Sequence, residues 1–137
     1  MEGKRWKVES GKRKVESVKD GGVDNLENLL VWQKSHALVL NIYEITKDFP
    51  KEESFGLTSQ MRRAATSIPC NIVEGKARGS NKEFKRFLLI ARGSLEELKY
   101  QIVLSRDLNY INEKKHNILI ESAKEVGRLL AGLIKSL

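Results

Sequence analysis

Metal-binding and nucleophilic side chains are scarce in this sequence, whereas cations able to grip a phosphate are plentiful. Its only imidazoles are His36 and His116, and its only thiol is Cys70. A di-iron site in a helical bundle needs two Glu-x-x-His pairs and two further inward carboxylates. One pair occurs, Glu113 with His116, whereas His36 has Gln33 three residues before it. No arginine precedes either histidine at the spacing of a helical ribonuclease, and no glycine-rich phosphate loop, nucleophile elbow or HExxH occurs. The expectation is therefore no metal, no cofactor, no catalytic residue and no enzyme activity. His36 reads as a core or interface histidine and Cys70, beside Pro69, as a packing residue.

Basic residues outnumber acidic ones, 25 to 18, for a net charge of +7. Such a balance steers anionic partners and keeps the chain soluble without specifying a fold. Lys85, Arg92 and Lys99 recur every seventh residue and, with Arg78 and Lys82, form a basic stripe diluted by Glu96. One reading is a solvated face with Glu96–Lys99-type pairing, and the other is phosphate binding, with Arg62 as a further candidate. A second stripe, Arg63, Ser67, Asn71, Glu74 and Arg78, follows helical spacing. It reads first as a structural polar network in Arg63, Ser67, Asn71 and Glu74, with Arg63 neutralising Glu74 across a kink at Pro69. A ligand or nucleic-acid site is its second reading. Arginine without a base or nucleophile makes poor catalytic machinery.

The elements that must carry these stripes are helices. Leu29, Trp32, His36, Val39 and Tyr43 recur at three- and four-residue spacing, with Leu38, Ile42, Ile45 and Phe49 as a second apolar row. The spacing predicts a helix over about 26–47, ended by Pro50, with more apolar surface than one bundle core requires. A second helix starts near Glu52–Phe55, repeats Leu57, Met61, Ala64/Ala65, Ile68 and Ile72, and is expected to kink at Pro69. Gly75, Gly79 and Ser80 close it, and Ser80 with Glu83 makes a capping box for a third helix running to about Leu108. After a turn at 109–112, a fourth helix carries Leu119, Ala123, Val126, Leu130, Leu133 and Leu137. Short connections favour antiparallel neighbours, so the fold class is all-α, an up-down-up-down four-helix bundle over 26–137 with a kinked second helix.

The first 25 residues differ. KRWKVES at 4–10 is echoed by KRKVES at 12–17, and Gly21-Gly22 separates the segment from the first helix. Its few apolar residues cannot bury a face, so a disordered basic tail, dispensable for folding, is expected. As a basic arm it is also a candidate for nucleic acid. No run of about 18 apolar residues exists, which excludes a membrane helix. The charged start carries no hydrophobic signal region, and the single cysteine suits a reducing compartment, so a cytoplasmic location is expected.

QMRRAATSIPCNIVEGKAR followed by EFKRFLLIARGSLEEL resembles the 23S rRNA-intervening-sequence proteins, a bacterial family of four-helix bundles. LLVWQKSHAL, YEITKDFPKEESFGL and GRLLAGLIKSL match in the same order, so the similarity spans about 26–137 and leaves the tail outside. The family name records that some members are encoded within large-subunit rRNA genes, which is a location and not an activity. The resemblance implies a homo-oligomer, a pentameric ring by analogy with known assemblies. It also implies association with RNA or DNA, or with a nucleic-acid enzyme such as the reverse transcriptase served by a related branch of accessory proteins. The alternative is a protein-interaction scaffold whose charge serves solubility. Helix one, through Trp32, His36, Leu38 and Ile42, is the expected subunit contact.

Overall fold

The computed structural model describes residues 29–137 and, of the preceding chain, the backbone of residues 5–9 and 12–16. Those two segments form strands β1 (Arg5–Glu9) and β2 (Lys12–Glu16), paired antiparallel with Arg5 opposite Glu16 and Glu9 opposite Lys12. The expectation of a disordered tail did not foresee this pairing. Its origin is the tandem repeat, which supplies two equal stretches with a β-branched valine apiece on either side of Ser10-Gly11. The rest of that expectation, and the candidate arm with it, lies outside the described residues.

Four helices form the body. Helix α1 spans Leu30–Thr46. It starts later than the apolar periodicity suggests: Leu29 is extended, with no side-chain cap, and residues 26–28 lie outside the described residues. At the other end Thr46 folds its hydroxyl back onto the Ile42 carbonyl at 2.7 Å. A short 3₁₀ turn, Lys51–Glu53, leads into α2, Leu57–Ala77. Gly56 stands at the helix entry without a side chain to cap it, and Glu53 Oε1 accepts from the Leu57 N–H at 3.0 Å instead. Helix α2 continues through Pro69 and Gly75, so Gly75 is interior to it and not a terminator.

Gly79, at φ +78°, turns the chain through the left-handed region. Ser80 then caps α3 (Asn81–Asp107) by accepting from the Glu83 N–H at 3.1 Å, the serine half of the expected capping box, while the Glu83 carboxylate accepts from Arg86. Asn109, at φ 63°, makes the next turn, and Asn112 caps α4 (Glu113–Ser136) by accepting from Lys115 N–H at 2.8 Å.

Each helix packs on its neighbours in sequence, and α1 closes the set against α4. The core runs along the middle of all four: Leu38 and Ile42 from α1, Met61, Ile68 and Ile72 from α2, Leu88, Leu95 and Ile102 from α3, and Val126 and Leu130 from α4 are all essentially inaccessible. Burying a side chain of this size stabilises the fold by about 1.5–3 kcal/mol. Helices α2 and α3 make the most extensive pairing, tightest at Gly75, where a Cβ would lie 2.6 Å from Phe87 Cβ. The α1–α2 and α3–α4 turns share one end of the bundle. There Tyr110 donates its hydroxyl to Glu53 Oε2 at 2.8 Å, and its ring lies 5.2 Å from Phe49.

The two apolar rows of α1 are largely used inside the subunit. Leu38, Val39, Ile42 and Phe49 are buried, and Trp32 stacks on His36 with centroids 5.0 Å apart and rings inclined by 11°. Of the expected subunit contact, Leu38 and Ile42 are thus buried within the subunit and Trp32 and His36 are half-buried, while Leu30 and Tyr43 of α1 are exposed.

Candidate nucleic-acid interface

Helix α3 buries Phe84, Phe87, Leu88, Ala91, Leu95 and Leu98, and this fixes its opposite side toward solvent. Lys82, Lys85 and Arg92 occupy that outer side, exposed, with no carboxylate within ion-pair distance among the described residues. Leu89 and Tyr100, 41% and 64% exposed, stand among them. The other two members of the stripe are paired. Arg78 bridges Glu74 at 3.2 Å and lies 5.0 Å from the Phe87 ring centroid, while Lys99 bridges Glu96 at 2.7 Å. The seven-residue recurrence thus resolves into free cations at 85 and 92 and a neutralised one at 99. Glu83 sits below its ordinary carboxyl value, chiefly because Arg86 donates to it, with burial opposing and the charges of Arg86, Arg78 and Lys82 assisting.

The polar stripe on α2 divides differently from the pattern read in the sequence. Ser67 meets Ser94 of α3 at 2.8 Å, and Asn71 donates to the Ser67 hydroxyl at 3.0 Å and to its carbonyl at 2.7 Å. These three side chains form a small polar seam between α2 and α3. Glu74 is exposed and pairs with Arg78. Arg63 joins neither group. It is exposed, and eleven residues of helix separate it from Glu74 by about 16 Å, too far for an ion pair.

Arg62 and Arg63 are placed differently from the pattern read in the sequence. Arg62, a phosphate candidate, is half-buried and ties α2 to α1: its Nε donates to Thr46 Oγ1 at 2.9 Å and Nη2 to the Tyr43 carbonyl at 3.3 Å. Its guanidinium also covers the Tyr43 ring at 4.5 Å. Arg63, the structural candidate, faces solvent. Neighbouring residues on a helix are turned by about 100°, so a one-residue difference decides which side of the apolar stripe a side chain reaches.

His116 is buried, held between Asn117 Oδ1 at 2.9 Å and Arg106 Nη1 at 3.4 Å, with Glu113 at 3.7 Å. Among the described residues no three His, Cys, Asp or Glu side chains are grouped to hold a metal ion. Cys70 is exposed on α2 and not packed as expected.

Sequence periodicity missed Glu53, whose carboxyl lies below its ordinary value, first through the Leu57 N–H and then through the Tyr110 hydroxyl. The same bond raises Tyr110 above its ordinary value. These residues are far apart in the chain, and no local spacing joins them. Ser94 was missed for the same reason, although its three-residue neighbours Ala91 and Glu97 mark it as the edge of the α3 apolar face.

With this geometry in place, the likeness to known proteins is informative. The family of 23S rRNA-intervening sequence proteins matches residues 27–132. The chain belongs to this family. A solved relative is a protein of unknown function from the S23 ribosomal protein family of Bacteroides thetaiotaomicron VPI-5482. It is 27% identical, superposes with a TM-score of 0.70, and the match covers 77% of this chain and 99% of that one. No match is found among curated proteins. The family match begins after the hairpin, so it covers α1 to α3 and α4 as far as residue 132 and leaves β1 and β2 outside. No helix among the described residues is long and apolar enough to cross a membrane.

Proposed function

We propose that this family member acts by binding and not by catalysis. In this reading it is a homo-oligomer, a ring of five by likeness to family assemblies, that associates with RNA or DNA or with an enzyme acting on them. It works in the cytoplasm. The observation carrying the reading is the row Lys82, Lys85 and Arg92 on α3, exposed and free of ion-pair partners among the described residues. A ring would repeat that row in every subunit, and each repeat raises the effective local concentration for the next contact. The runner-up is a protein-interaction scaffold, favoured by Leu89 and Ile90, 41% and 44% exposed on the same helix.

The test is anisotropy with labelled RNA and DNA between about 50 and 200 mM salt, where each neutralised phosphate contributes about −0.9 to the log–log slope on duplex DNA and about −0.7 on single strands. Lys85→Glu with Arg92→Glu should weaken binding and flatten the slope, leaving the light-scattering mass and the melting temperature unchanged. Absence of wild-type binding at the lowest salt refutes the nucleic-acid reading and favours the scaffold. A monodisperse monomer at micromolar concentration refutes the oligomer.

A further inference from the structure

Phe55 is 99% exposed, in the turn between α1 and α2. An aromatic ring left wholly in water serves neither core nor turn: it follows the 3₁₀ turn and precedes Gly56, and the contact that caps the start of α2 is made by Glu53 instead. Directly beside it in the chain, Ser54 lines an open groove of about 430 Å³ between the end of α1 and the first half of α2. Arg62 and Arg63 line the same groove, with Thr58 and Ser59. The hydroxyls of Ser54, Thr58 and Ser59 have no hydrogen-bond partner among the described residues, and neither has the Arg63 guanidinium. Arg62 is already immobilised by Thr46 and Tyr43 through Nε and Nη2, which leaves Nη1 uncommitted. Of the two acids in the turn, Glu53 has both carboxylate oxygens engaged, one with Leu57 N–H and the other with Tyr110, and Glu52 is exposed.

From this arrangement we infer that the α1–α2 groove seats a phosphate of single-stranded nucleic acid while Phe55 stacks the adjoining base. Two guanidinium groups and three unpartnered hydroxyls suit a phosphodiester oxygen pair. One of the guanidinium groups is held in place before binding, which lowers the ordering cost of the contact. An exposed aromatic one residue along the chain from a cationic groove's lining suits single strands without sequence preference, because every base offers a π-face. Duplex DNA cannot use Phe55 in this way, since its bases are already stacked. The inference rests on the nucleic-acid reading above but names a different site: the turn end of α1–α2, not the outer face of α3. It also gives Arg63 and Phe55 a common purpose that the bundle itself does not require.

The test compares wild type, Phe55→Ala, Arg63→Ala and the Lys85→Glu/Arg92→Glu pair against a fluorescein-labelled oligouridylate of about twelve nucleotides, a length within the usual single-strand site size. A labelled DNA duplex serves as the second probe. Phe55→Ala should weaken oligouridylate binding by about 5- to 150-fold, the range for loss of one stacked base, and leave duplex binding unchanged. Arg63→Ala should weaken oligouridylate binding and make the salt slope shallower by about 0.7, one single-strand phosphate. Both substitutions are at exposed positions, so melting temperature and light-scattering mass should stay as in wild type. An altered mass for Phe55→Ala marks the ring as a subunit contact and overturns the inference, as does an equal loss on both probes. Wild-type binding that survives Phe55→Ala and Arg63→Ala but falls with the α3 pair overturns the groove and leaves the broader reading standing. No wild-type binding to either probe overturns both.

Discussion

Gly75→Ala offers the most direct measure of how closely α2 and α3 approach. An added Cβ would lie 2.6 Å from Phe87 Cβ, 3.1 Å from Phe84 Cδ1 and 3.3 Å from Phe87 Cγ. Carbon pairs are comfortable at about 3.5–4.0 Å, so the first contact falls short by roughly 1 Å. Phe87 Cβ is bonded directly to the backbone and cannot rotate aside, so the helices themselves must part. Overpacking of this kind costs about 1–3 kcal/mol. Against it stands the gain from replacing an interior helical glycine by alanine, about 0.8–1.0 kcal/mol. Gly93→Ala isolates that gain: Gly93 is interior to α3 and exposed, and a Cβ added there would meet nothing within 4 Å. Gly93→Ala should therefore raise stability by up to about 1 kcal/mol, while Gly75→Ala should fall below it by about 1–3 kcal/mol. Urea unfolding at one protein concentration is the assay, because an oligomer's midpoint shifts with concentration. A gap below about 0.5 kcal/mol, the usual scatter of surface substitutions, would refute the close approach.

Arg62→Ala should destabilise by about 1.5–3 kcal/mol, the range for charged hydrogen bonds, and Arg63→Ala by less than about 0.5; thermal melts that rank them the other way would restore the roles read from sequence. Acid sensitivity should trace to Glu53 and Glu83, and Glu53 is the one with a partner that a conservative substitution can remove. Its folded value lies below the ordinary 4.5, so the stability it confers is present above that pH and is lost as pH falls toward the lower folded value. Tyr110→Phe removes one of the two bonds responsible, so melts below pH 4.5 should fall less steeply than wild type; identical acid profiles would show that the Tyr110 bond does not set the carboxyl. At the alkaline end the sign is opposite for Tyr110. Its folded value lies above 10.0, so the unfolded chain ionises first and wild type should lose stability as pH rises past that point, whereas Tyr110→Phe should not share this loss.

The four helices were legible because their apolar residues repeat at helical spacing and their ends carry short local signals. Ser80 with Glu83 is one such signal, and its predicted bond is present. The start of α1 was not legible, since Leu26 extends the apolar pattern while Leu29 carries no cap to mark the true beginning. The entry to α2 was missed by a few residues because its cap comes from Glu53, four positions upstream across a glycine. For the site, sequence identified the cations on α3 but not which of them have partners. Lys99 and Lys85 share one recurrence, yet only Lys99 has Glu96 within reach. The different placement of Arg62 and Arg63 has the same origin: periodicity gives the face of a helix, and the facing neighbour decides what each edge meets. Phe55 carried no signal at all in a reading that treats aromatics as core.

The order of helix packing bears on how the chain assembles and where it opens. Three of the four helix pairings join elements consecutive in the chain, and one, α1 with α4, joins its distant parts. Most of the topology is therefore of low contact order, which favours rapid folding, and the α1–α4 seam is the one helix pairing that closes a long loop. A fluctuation that parts this seam leaves every sequential pairing intact while breaking the Lys34–Glu125 bridge, 3.5 Å long, and opening the groove between Val31 and Leu129 to water.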